Sequence, residues 1–241
     1  MRVLVTFSIF ENSAATLPFV DDLAMLVIGW ALGILSSPIT DAIRRRSVKE
    51  RITRAIRTEL RSLQDSFATV VIQVSRRRGD LTHSLLDALM GTLMSSGQLP
   101  GGSKSLKLID DLIDSGANLR TLTRAREAAG DWAYLSVKVQ GVPFLESHLH
   151  RLDFYSHETQ RQLLEIHAGC EIFNQFADEA MRYHLMLFGE GIDQERRSAL
   201  QCNIEKCYER AGEKASELVT LIAFVLRSAE MRARGKEGED R

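Results

Sequence analysis

Between Asp22 and Asp41 the chain carries no formal charge, and the run Leu23–Leu35 reads LAMLVIGWALGIL, apolar or glycine on every side of a helix. Basic residues follow closely: Arg44, Arg45, Arg46, Lys49, Arg51, Arg54 and Arg57. A hydrocarbon core about 30 Å thick needs ~20 helical residues at 1.5 Å each. The eighteen uncharged positions from Leu23 to Thr40 are just long enough. Residues 21–40 are therefore expected to form a single transmembrane helix. Lys and Arg accumulate on the cytoplasmic side of such a helix, and only Arg2, against Glu11, Asp21 and Asp22, precedes the window. The expected address is the inner membrane of a bacterium, single-pass, with the N-terminus out and the C-terminal domain in the cytoplasm.

Two other readings of the window compete. A cleaved signal peptide carries its positive charge before the apolar run, and here the charge comes after it. A buried core helix suits an apolar stretch of ~10–14 residues, but it leaves the arginine block without a purpose. Inside the window, Gly29, Gly33 and Ser37 recur every four residues, a strip of small residues along which two membrane helices can approach closely. This strip makes a homo-oligomer an expectation. Pro38 removes one helical N–H and is expected to kink or restart the helix there.

Charge along the chain is uneven although the total is only −1. Residues 1–40 carry −2 (one positive, three negative), residues 41–78 carry +7 (eleven positive, four negative), and residues 79–241 carry −6 (nineteen positive, twenty-five negative). A short basic collar beside an acidic body suits a chain whose collar faces anionic lipid. The collar is Arg44, Arg45, Arg46, Lys49, Arg51 and Arg54. A nucleic-acid binder would spread its basic surface over the folded domain, so no nucleic-acid partner is expected. The three cysteines, Cys170, Cys202 and Cys207, form no disulfide framework, which fits a reducing compartment.

Strand-like alternation is scarce and helical spacing recurs, so the fold class is all-α: the membrane helix, then a multi-helix bundle with long antiparallel helices. The expected division is a poorly ordered extracytoplasmic tail over 1–20, the membrane helix over 21–40, the bundle over 41–234 and a frayed charged tail over 235–241. From Thr40 to Arg77 one helix is predicted. Its apolar seam of Ile56, Leu60, Leu63, Phe67, Val70 and Val74 steps by four and three, and it is expected to pack within the chain. Asp80 or Thr82 caps the next helix, whose apolar face runs from Leu81 to Met94. Ser103 caps a third, carrying Leu106, Ile109, Leu112 and Ile113. A weaker helical stretch ends near Gly130, divided at Gly116-Ala117-Asn118. The segment 131–140 reads as helix with some strand character.

Pro143 suits the first turn of a helix reaching Phe154. Ser156 with Thr159 opens a long helix whose stripe includes Ile166, Cys170, Phe173, Ala177, Met181, Leu185 and Phe188. Gly189 and Gly191 end it, Gly189 as the cap. Asp193 opens the last long helix, antiparallel to the one before.

The sequence lacks the phosphate-cradling glycine motifs, the G-x-S-x-G elbow, H-E-x-x-H and C-x-x-C. No catalytic residue and no cofactor are expected. Glu146, His150, Asp153 and His157 fall on one face if the helix is continuous, and imidazole with carboxylate is the stuff of a metal or acid–base site. A break near Tyr155 would throw His157 off that face. His167 and His184 read as satisfied or solvated side chains. The leading expectation is a membrane-anchored interaction, scaffold or sensor protein binding a protein partner or its own copies. The alternatives are an oligomeric membrane-perturbing effector assembled through Gly29, Gly33 and Ser37, and a helical metal-dependent enzyme around His150 and Asp153.

Overall fold

The computed structural model describes residues 18–97, 102–114, 138–189 and 191–228, with side chains inside the first helix described at 25–30 and from 40 onward. Among these residues the secondary structure is entirely helical. The helices are α1 (Pro18–Arg78), α2 (His83–Ser95), α3 (Lys104–Asp114), α4 (Pro143–Ser147), α5 (His157–Leu187) and α6 (Gln194–Arg227), with a 3₁₀ turn at Leu149–Phe154. The chain divides into two compact units, Met1–Lys49 and Glu50–Arg241. The predicted elements at Gly116–Asn118, up to Gly130 and over 131–137, the expected N-terminal tail up to residue 17 and the tail over 235–241 lie outside the described residues, while residues 18–20, expected in that N-terminal tail, begin α1.

In the first unit α1 continues through Pro38, so the helix does not restart there. Among the described residues no helix is long and apolar enough to cross a membrane. Of the Leu23–Ile39 window, only the side chains of residues 25–30 are described.

The second unit is a multi-helix bundle built on the seam read from the sequence. Ile56, Leu60, Leu63, Phe67, Val70 and Val74 are all buried, joined by Ile52, Val71 and Ile72. Phe67 meets Phe173 of α5 edge-on, with ring centroids 4.8 Å apart, the geometry that aromatic quadrupoles favour. Gly79 ends α1 at φ 73°. That left-handed turn lets the Asp80 N–H reach the Ser75 carbonyl at 3.1 Å. Thr82 caps α2 by accepting from the Leu85 N–H at 3.2 Å, and Ser103 caps α3 by accepting from the Leu106 N–H at 3.0 Å. Ser156 and Asp193 cap α5 and α6 in the same way.

α5 and α6 form an antiparallel pair. Near one end Gly169 faces Leu218, and near the other His184 bonds Tyr208. On α5 the seam keeps its four-three rhythm through Ile166, Cys170, Phe173, Ala177, Ala180 and His184, all buried. The sequence stripe, followed through its larger side chains, drifts off this seam. Met181, Leu185 and Phe188 are exposed, Phe188 at 81%. Two small alanines and a hydrogen-bonded histidine let α6 approach where bulky residues had been expected. At the end of α5, Phe188 is the cap and Gly191, not Gly189, takes the positive φ.

The predicted helix from Pro143 to Phe154 is not continuous. It stops at Ser147, because the Phe144 carbonyl is occupied by the Ser147 hydroxyl and by His148 Nδ1, each at 2.9 Å. The His148 N–H then bonds the Leu145 carbonyl at 3.1 Å, and the chain tightens into the 3₁₀ turn. Lys138 to Gln140 are not helical either. There the Gln140 N–H donates to Asn174 Oδ1 at 2.8 Å, and Asn174 Nδ2 donates to the Gln140 carbonyl at 2.7 Å.

Candidate functional site

The first candidate region is the start of α1. Met25, Leu26, Val27 and Ile28 occupy successive positions, 100° apart on a helix, and together cover its whole circumference. All four are exposed, Met25 at 72%, and Trp30 is exposed at 69%. Soluble surfaces rarely show apolar side chains on every side of one segment. Gly29 has no atom within 4 Å of where a Cβ would stand. The side chains of Gly33 and Ser37 lie outside the described residues. Downstream, Arg44, Arg45, Arg46, Arg51 and Arg54 are exposed and Lys49 is half-buried. The basic run then turns inward. Arg61 Nε donates to the Ser96 carbonyl at 3.2 Å. Arg57 has a buried Nε with no hydrogen-bond partner among the described residues, and burial, then Arg61, holds it below the usual arginine value.

The second region is polar and lies in the bundle. His150 and Asp153 sit on the 3₁₀ turn and His157 is the first residue of α5, so the single helical face through Glu146, His150, Asp153 and His157 does not exist. The break comes at His148, earlier than the junction suspected from sequence. His150 instead accepts from Arg151 Nε at 3.2 Å and stacks beside His148, with ring centroids 6.3 Å apart. Glu146 turns to α5. Its Oε1 is 3.7 Å from His167 Nε2, and one donor atom from each of Glu146, His167 and Glu171 lies within 4.8 Å of the others. The local signal was His167-x-x-x-Glu171, one helical turn apart; the partnership with Glu146, twenty-one positions before His167, leaves no pattern in sequence.

His184 is buried, with Nε2 3.1 Å from the Tyr208 hydroxyl. The three cysteines are free. Burial pushes the Cys170 thiol up to about 12 and Cys207 up to about 11, which makes both poor nucleophiles at neutral pH. No protein-family model, curated protein or solved structure matches the chain.

Proposed function

We propose that this chain is a single-pass membrane protein whose helical bundle is held at the cytoplasmic face and there binds a protein partner. The reading rests on one observation above the others: Met25, Leu26, Val27, Ile28 and Trp30 are exposed around the full circumference of α1 within its charge-free stretch, residues 23–40. Each such side chain left in water forgoes about 1.5–3 kcal/mol of burial, and lipid tails supply that burial without a protein partner. The exposed arginines that follow are suited to anionic headgroups, at ~1 kcal/mol per basic residue near the surface. For the partner, the exposed Met181, Leu185, Met186 and Phe188 at the end of α5 offer an apolar surface.

Extraction of membranes tests the anchor. The protein is expected to stay with the membrane through high salt and alkaline carbonate and to be released by detergent. Release by salt alone would reduce the collar to a peripheral electrostatic contact, and a protein found in the soluble fraction without detergent would overturn the reading.

A further inference from the structure

Glu146, His167 and Glu171 bring together two carboxylates and an imidazole from two elements, with one donor atom of each within 4.8 Å of the others. His167 and Glu171 are four residues apart on α5 and so share a face. Glu146 comes from α4, and its backbone is pinned on its N-terminal side. The Glu59 carboxylate of α1 accepts from the Phe144 N–H at 2.8 Å and the Leu145 N–H at 2.9 Å. Just upstream, the paired Gln140–Asn174 hydrogen bonds tie the segment to α5, one turn beyond Glu171. Neither carboxylate of the trio has a lysine or arginine within ion-pair distance among the described residues.

We propose that Glu146, His167 and Glu171 form a site for one divalent first-row transition cation of the Zn²⁺ class. Imidazole with carboxylates selects such ions over Mg²⁺ and Ca²⁺, which prefer all-oxygen ligands. Three protein ligands leave a position for water, the arrangement of open zinc sites. An ion about 2.0–2.2 Å from each donor requires the three to close in from their present spacing. Glu146 and Glu171 are exposed, while His167 is half-buried. A cation relieves the repulsion between those carboxylates. The competing arrangement is a plain solvated Glu146–His167 contact with no affinity for metal.

The test uses the full-length, tag-free protein in detergent, stripped with chelator and titrated with Co²⁺, with Zn²⁺ as competitor. Ligand-field absorption of Co²⁺ is expected to rise and saturate at a single equivalent, and Zn²⁺ is expected to displace it. Loss of an outer-shell partner alone commonly costs 10–100-fold in affinity, so His167→Ala and Glu171→Gln should each weaken binding by at least about tenfold. Both are expected to leave the helical circular dichroism unchanged, and His150→Ala should bind like the parent. Absence of saturable binding would overturn the proposal. So would affinity untouched by His167→Ala and Glu171→Gln, or binding lost with His150→Ala, which would place the ion elsewhere.

Discussion

Asp65 and Ser105 lie forty positions apart, yet the Ser105 N–H donates to the Asp65 carboxylate at 3.1 Å, and the Lys104 N–H donates to it at 3.2 Å. The hydroxyls of Ser103 and Ser105 donate to the same carboxylate. A carboxylate of α1 thus satisfies the open N–H groups at the start of α3, as Glu59 does for α4. Negative charge at a helix N-terminus is favourable, and here it also fixes where two later helices begin on the first.

Removing this cap leaves buried N–H groups without an acceptor. Asp65→Ala is expected to destabilise the bundle by about 1–3 kcal/mol, with Asp65→Asn closer to the parent because it keeps one acceptor oxygen. The urea midpoint followed by circular dichroism measures both. A midpoint unchanged in Asp65→Ala would mean that the α3 cap contributes nothing.

Glycines on helices should separate by what a methyl group would meet. At Gly212 it would stand 2.7 Å from Val74 Cγ1 and 3.0 Å from Val74 Cβ, a stiff branched neighbour. Gly212→Ala is expected to cost about 1–3 kcal/mol from overpacking. At Gly169 the obstruction is the flexible end of Leu218, at 2.6 Å, so Gly169→Ala should cost less. Gly91 has open space around it, and Gly91→Ala should stabilise by up to about 1 kcal/mol through helix propensity. Melting temperatures of the three variants give the order directly, and a stabilised Gly212→Ala would contradict the α1–α6 packing.

Alkaline pH should weaken the fold in a defined window. Burial raises Cys170 from 9.0 to about 12, Cys207 from 9.0 to about 11 and Tyr208 from 10.0 to about 12. Above pH 9 the unfolded chain gives up protons that the native state still holds, so stability present below pH 9 falls as pH rises toward 12. Urea midpoints from pH 7 upward are expected to stay level until about 9 and then decline. In the same range a thiol reagent added at pH 8 should react with the exposed Cys202 in the native protein, and with Cys170 and Cys207 only on unfolding.

The α1 seam was legible because its six apolar positions recur at helical spacing over five turns. The caps at Thr82, Ser103, Ser156 and Asp193 were legible because each acts on a residue three positions away. What escaped was set by distant partners. Nothing near Pro143 indicates that Glu59 holds the start of α4, or that Ser147 and His148 stop it after five residues. Hydrophobicity favoured Met181 and Leu185 for the α5 seam, whereas small size and a hydrogen bond to Tyr208 placed Ala180 and His184 there. The trio of Glu146, His167 and Glu171 joins two elements, with Glu146 twenty-one positions before His167, whereas a continuous helical face pointed instead to His150 and Asp153.

Whether residues 23–40 separate two compartments, as proposed, can be read by labelling with a membrane-impermeant maleimide. Cys202 on the exposed face of α6 marks the bundle, and Ser13→Cys in a Cys202→Ser background marks the N-terminal segment. In intact bacterial cells the residue-13 thiol is expected to be modified, and Cys202 only after the inner membrane is permeabilised. Equal protection of both thiols in intact cells, with both exposed together on permeabilisation, would contradict it.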